Sequence, residues 1–468
     1  MIYNLDLPPT ATEFHTDDAK LQRLYDSAVE KSKLNLKDFG PEGRVRRVLI
    51  EGGGYHKIWL ETQPMGGLMF AGHDLTAAIN NVTLFMEHQR DDGRLPGSIE
   101  DKGGHLEAQF NKFQGFCFPA EAVDLLDWVG NSREYVEALY DCLLRFDAYL
   151  WRTRDSNGDG CLESWCITDT GEDGALRYGD APFWWTEDRP PEGYAVVPIQ
   201  SMDVMWYSVS ARDELAWLSI RLGNGQYDAW RAKANAVRKR IFDYLWNDER
   251  GACFDRDKHG SVMPTLLHNN LRVMYGGGFS QRMADRFVSE HLLNPDEFWT
   301  PTPLPSVAAN DPLFRNESGN NWSGQPEGLT FQRSIRALEN YGYDHLLAPL
   351  FDKLATAIGS DCMFTQQYDP FTSKPSSDKD GYGPTMLAVL GFIGRLHGIL
   401  PRRGEILWGV RGGAASEYKL TIGDNMYELR SNGQTTDGCV NGKPVFKTEH
   451  GFRVVTDKAG TVIRRVKI

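Results

Sequence analysis

Cysteine is scarce in this chain, with 7 in 468 residues. Cys117, Cys142, Cys161, Cys166, Cys253, Cys362 and Cys439 show no CxxC spacing. That argues against a cysteine zinc site and against a disulfide frame, and it points to reduced thiols and a cytoplasmic protein. Positive charge is also short: 51 Lys and Arg face 64 Asp and Glu, a formal net charge of −13, and no basic block interrupts the deficit. Such a chain is a poor partner for nucleic acid or an anionic membrane. No apolar run approaches the roughly 20 residues of a spanning helix. The first residues carry Asp6, Glu13, Asp17 and Asp18 and no apolar stretch, so no secretory signal is expected. Aromatic residues, by contrast, are plentiful: 13 Trp, 18 Tyr and 23 Phe.

From about residue 17 to 400 the pattern is helical. Apolar residues recur at helical spacing over 19–38, 66–89, 117–129, 133–151, 202–222, 227–246, 263–275, 280–293, 329–341, 344–358 and 383–398. Few period-2 runs intervene, which argues against a βαβ protein. Segment 401–413 is a linker by its Pro and Gly content. Beyond it EYKLTI, MYELRS, GFRVVT and TVIRRVKI alternate, with turns at Gly423-Asp424, Asn432-Gly433 and Asn441-Gly442. The expected organisation is an all-α domain over 1–400 and a small antiparallel β appendage over 401–468.

The loops between helices are long, and acids meet tryptophans in them. The richest, 155–189, reads DSNGDGCLESWCITDTGEDGALRYGDAPFWWTEDR. Cleavage of a glycosidic bond needs this mixture. One carboxyl must stay protonated, which an apolar wall favours, while a second acts from the other side of the sugar. Flat aromatic faces carry the apolar face of a pyranose. The plain alternative is a polar surface loop with chance tryptophans. Asp155-x-Asn157-x-Asp159-Gly160 begins like a calcium loop, but Cys166 stands at the twelfth position, so an Asx turn is the better reading and no metal is expected. In 51–74 the Gly triplet lacks the Lys-Ser/Thr of a phosphate loop. Trp59, Glu61 and Gln63 there precede a helix and are candidates for a pocket wall. In 318–333 Glu327 stands near a helix start, where an acid also suits the positive helix end. The eleven histidines form no paired-ligand pattern.

Taken in order, WLETQPMGG, FMEHQRDDGRLPG, KFQGFCFPAEAVDLL, GEDGALRY and SMDVMWYSVSARDELAWLS resemble the (α/α)6-barrel glycoside hydrolases of the family 63 and family 37 clan. That clan holds α-glucosidases, mannosylglycerate and glucosylglycerate hydrolases and trehalases. The resemblance spans about residues 50–400. It implies an (α/α)6 barrel, inverting hydrolysis of an α-linked glucoside or small oligosaccharide, and no organic cofactor. It places Asp173 as the general acid. It makes Trp59, Trp165, Trp184, Trp185 and Trp322 candidate sugar platforms, with Glu61, Gln63 and Tyr368 beside them, and gives Gln114, Arg177 and Asp203 to sugar hydroxyls.

The sequence departs from the clan in one position that bears on chemistry. The clan's base is the Glu of an E-x-Y-(N/D)-P-x-T-G motif, and QQYDPFTS puts Gln366 there. Gln matches Glu in shape but cannot take a proton from water. Three readings remain open. The residue is an inactivating substitution, or it is native with the base moved to another acid, or the chain binds sugar without cleaving it. Glu327 is the leading candidate for a moved base, with Glu172 and Glu61 behind it. A sugar epimerase would need paired histidines that the acid-rich loops lack.

Overall fold

The computed structural model describes residues 5–130 and 132–468. Its helices are α1 (Ala19–Leu34), α2 (Gln63–Phe70), α3 (Leu75–Glu87), α4 (Pro119–Asp124), α5 (Arg133–Thr153), α6 (Met202–Leu222), α7 (Tyr227–Arg240), α8 (Asn269–Tyr275), α9 (Gln281–Phe287), α10 (Gly328–Glu339), α11 (Leu347–Ile358) and α12 (Gly383–Leu396). None among the described residues is long and apolar enough to cross a membrane.

The even-numbered helices close a ring. Each of α2, α4, α6, α8, α10 and α12 packs on the next, and α12 returns to α2. The odd-numbered helices α1, α3, α5, α7 and α11 cover this ring from outside, on α12, α2, α6, α6 and α12 respectively. Burial follows that placement. In α6 and α12 most residues are buried, since these helices are enclosed on all sides. Outer helix α7 buries only Trp230, Ala234 and Val237.

The helical stretch expected over 66–89 is two helices. Asp74 breaks it, because its carboxylate accepts from the Ala77 amide and so starts α3 as a cap. The helix expected from 263 begins only at Asn269.

An all-α description does not hold, since strands make up 21% of the chain. Two antiparallel sheets account for most of them. One runs, in spatial order, Thr10–Thr16, Ser416–Ile422, Asn425–Ser431, Thr435–Val440 and Lys443–Glu449. The other runs Ile399–Arg402, Glu405–Val410, Phe452–Asp457 and Val462–Lys467. Trp408 of the second sheet meets Tyr427 and Phe446 of the first edge-on, at ring centroid distances of 6.0 and 5.4 Å, so the sheets face each other across an aromatic core.

Two features of this part depart from expectation. The segment 401–413 is no linker in its first half. Ile399 pairs with Trp408 and Arg402 with Glu405 in a tight hairpin, with Ile406, Trp408 and Val410 buried. The strand Thr10–Thr16 joins residues 416–422 from the far end of the chain, Thr10 opposite Ile422 and Thr16 opposite Ser416. A pairing between segments so far apart in the chain leaves no local signature.

Candidate active site

The loops at one end of the ring converge on a small cavity of about 40 Å³. Its wall includes Trp59, Glu61, Gln114, Asp173, Trp322 and Gln366, six of the residues singled out in the sequence. Glu51, Tyr55, Lys112, Asn320 and Tyr382 complete it, with the backbone of Gly171. These five were missed as pocket residues, although all five lie in or beside stretches already noted, Tyr382 directly before the helix expected over 383–398. Glu51 and Tyr55 flank the Gly triplet, Asn320 precedes Trp322, and Lys112 precedes Gln114 by two residues.

Asp173 sits in the loop after Gly171. One carboxylate oxygen accepts from Asn320 Nδ2 at 2.7 Å, and the other is buried without a partner. Burial raises its pKa, opposed by the Lys112 charge and the Asn320 bond. Such a carboxyl holds a proton to higher pH than an ordinary Asp. Asn320 continues across the pocket, since its side-chain oxygen accepts from Gln366 Nε2 at 2.7 Å and from Trp322 Nε1 at 2.9 Å. Tyr55 donates its hydroxyl to Gln366 Oε1 at 3.0 Å. Asp173 and Gln366 thus face one pocket and are bridged by a single amide. The Trp322 amide donates to the Asp173 carbonyl at 2.9 Å, which ties these two loops together.

Glu61 is committed elsewhere. It accepts from Arg333 Nη2 and Gln114 Nε2, each at 3.0 Å. Its carboxylate is also clasped by backbone: a Cβ at Gly171, whose φ is +70°, would lie 2.2 Å from Glu61 Oε2. Glycine is therefore required at the turn that presents Asp173. Trp59 offers an indole face flanked by cations, with Lys112 Nζ 4.7 Å and Lys57 Nζ 5.5 Å from the ring centroid.

The other predicted residues lie outside this cavity. Gln63 accepts the Trp59 amide and so shapes the wall from behind. Trp165 is fully buried, bonds Glu163 through Nε1 at 2.8 Å and lies under the Arg154 guanidinium. Tyr368 is fully buried, its hydroxyl on the Met363 carbonyl at 2.8 Å. Arg177 ion-pairs with Glu172 and Asp255. Asp203 accepts from Asn269 at 2.5 Å and Trp206 at 2.9 Å. Trp184 is exposed, and Trp185 hangs by its amide from the Asn111 carbonyl beside Lys112.

Of the moved-base candidates, Glu172 is held well below the ordinary carboxylate range. Burial alone would raise it, but Arg177 and Arg272 outweigh that. Glu327 precedes α10 without capping it. It is fully buried with both oxygens unpartnered, and burial pushes its carboxyl well above the usual range. Its neighbour Gly328 donates its amide to the Gln366 carbonyl at 2.9 Å, so the two segments touch.

Known structures share this architecture. The mannosylglycerate hydrolase of glycoside hydrolase family 63 from Thermus thermophilus, solved with glucose, aligns at TM-score 0.62 and 16% identity over 79% of this chain and 99% of its own. Neutral trehalase Nth1 from Saccharomyces cerevisiae aligns at 0.58 and 11% over 78% of this chain and 79% of its own. A structure named only as a sialidase aligns at 0.71 and 12% over 96% of this chain and 42% of its own. Comparison with curated protein sequences gives no match.

The fold is the one these solved structures share, and the sequence makes the chain a glycoside hydrolase. The family model of the mannosylglycerate hydrolase MGH1-like glycoside hydrolase domain matches residues 68–383, well over half of the chain, and the chain belongs to that family.

Proposed function

We propose that the chain is an inverting hydrolase of an α-linked glucoside or small oligosaccharide, working in the pocket of an (α/α)6 barrel with Asp173 as the general acid. The observation that carries this is the partly buried, half-partnered carboxyl of Asp173 facing the same small pocket as Gln366. A sugar entering between them takes over the bonds now made by Asn320. Trp59 and Trp322 supply its flat walls, and Gln114 a polar contact for a hydroxyl. Asp173 then protonates the leaving oxygen as a water on the opposite face attacks the anomeric carbon. Inverting enzymes of this type hold the two carboxyls roughly 6.5–9.5 Å apart to admit that water.

Gln366 supports a second reading, a barrel that binds sugar without cleaving it. One screen decides between them. Glucosylglycerate, mannosylglycerate, trehalose, kojibiose and nigerose are incubated with the chain and with Gln366→Glu. Hydrolysis of one of them by the unaltered chain is the expected result. A large rate gain in Gln366→Glu, from an inactive parent, marks the parent as a sugar-binding form whose base position is 366. Binding without product in both proteins contradicts the hydrolase reading.

A further inference from the structure

Gln366 leaves the water-activating role without an owner, and the pocket wall contains three carboxylates to choose from: Glu51, Glu61 and Asp173. Asp173 is the acid of the proposed mechanism, and Glu61 is tied to Arg333 and Gln114. We infer that Glu51 is the general base, standing in for the Glu that position 366 lacks. This rests on the hydrolase reading proposed above.

Backbone geometry places Glu51 beside Gln366. The Glu51 carbonyl accepts from the Gly383 amide at 2.6 Å, Gly52 bridges to Tyr382, and the Tyr382 amide donates to the Phe364 carbonyl at 2.9 Å. The segments carrying Glu51, Tyr382 and Gln366 therefore run side by side. Tyr55, four residues after Glu51, closes the same turn and reaches Gln366 with its hydroxyl. Gly52 makes the turn possible: its φ is +75°, and a Cβ there would fall 2.1 Å from Asn35 Nδ2 and 2.4 Å from the Gly381 carbonyl. The triplet, which lacks the Lys-Ser/Thr of a phosphate loop, is thus a clamp that fixes the carboxylate before it.

Glu327 is a poorer choice. It is fully buried and does not reach the cavity, whereas Glu51 lines it and keeps 5% of its surface exposed. Around Glu51 stand the charges of Glu61, Asp173 and Arg333, and the Tyr382 hydroxyl. Burial first, then Glu61, push its carboxyl well above the ordinary range, and the Tyr382 hydroxyl and Arg333 oppose this. A base of raised pKa is a stronger proton acceptor once ionised.

Glu51 takes a proton from water as the water oxygen bonds to the anomeric carbon. The bond from that carbon to the leaving oxygen breaks, and Asp173 gives that oxygen its proton. A free sugar of inverted configuration and an alcohol leave, and exchange with solvent returns the proton from Glu51 to Asp173.

The test uses α-D-glucosyl fluoride, with α-D-mannosyl fluoride as the second probe, because fluoride departs with little acid assistance. Glu51→Ala is expected to lower kcat at least 100-fold, and sodium azide to restore turnover with a β-glycosyl azide as product. Azide in the space vacated by the carboxylate needs no base, so this rescue is a signature that a structural role does not give. If the parent is active and Glu51→Ala keeps kcat within threefold, or is lost without azide rescue, Glu51 is not the base and the hydrolase reading stands. If azide rescues Glu327→Ala instead, the base is Glu327. If the parent cleaves neither fluoride nor any glycoside of the screen, the hydrolase reading falls and this inference with it.

Discussion

Asp173→Asn is expected to lower kcat on the glycoside substrate by about 10³-fold, within the range a positioned general acid contributes. The substitution is close to isosteric. The amide oxygen of Asn still accepts from Asn320 Nδ2, so the pocket keeps its shape and sugar binding persists. What is lost is the proton, and the loss is selective. A sugar alkoxide leaves only when protonated, whereas fluoride leaves without much help, so the variant retains far more activity on α-glucosyl fluoride than on a disaccharide. A purely structural role for Asp173 predicts equal losses on both. The pH dependence follows from the raised pKa. The acid must be protonated to work, so activity falls as pH rises through the pKa of Asp173. That limb lies above the roughly 3.9 of an ordinary Asp. Steady-state rates across pH, on both substrates, check the effect and its sign.

The second large effect concerns stability. Glu339, at the end of α10, has a buried side chain that binds three arginines: Arg395 of α12 at 3.3 Å, Arg402 at 3.0 Å and Arg453 at 2.9 Å. Arg402 and Arg453 belong to the second sheet, so one carboxylate joins the helical ring to the β part. Burial alone raises its pKa, but Arg395, Arg453 and Arg402 bring it down to about 2. Glu339→Gln keeps the shape and removes the counter-charge of the buried Arg395, while Arg453 keeps Asp344 and the partly exposed Arg402 keeps Asp124. Removing one partner of a buried pair costs about 3–5 kcal/mol. A lower urea midpoint at pH 7 is the expected reading, and a change below about 1 kcal/mol contradicts it. The sign in pH is fixed as well. The folded pKa is depressed, so the stabilisation is full above the unfolded value of roughly 4.3 and is lost as pH falls toward 2. The gap between parent and variant should therefore narrow over that window.

How much of this was written in the sequence depends on whether the signal is local. The helices were legible because their apolar spacing is set by neighbours in the chain, and α5 and α6 appear almost where periodicity put them. The strand Thr10–Thr16 was not, because only Phe14 of its seven residues is buried and its partner lies at the other end of the chain. The same distinction divides the site. Asp173, Trp59, Trp322 and Gln366 stood in stretches dense with acids and aromatics, and the fold brings them to one cavity. Trp165, Tyr368, Arg177 and Asp203 came from the same stretches, yet the fold turns them into buried partners for Glu163, Met363, Glu172 and Asn269. A sequence displays which residues can do chemistry, but not which way a loop turns them. Glu51 is the converse case, a lone acid before three glycines whose setting is made by Asn35, Tyr382 and Gly383, none of them near in sequence.

The claim on which the rest depends is inverting hydrolysis. It is tested most directly by proton NMR of the anomeric region during the first minutes of cleavage of an α-glycoside or α-glycosyl fluoride. The account predicts that the β-anomer appears first and that the α-anomer grows in only as the free sugar mutarotates. First appearance of the α-anomer, or no released sugar at all, would contradict it.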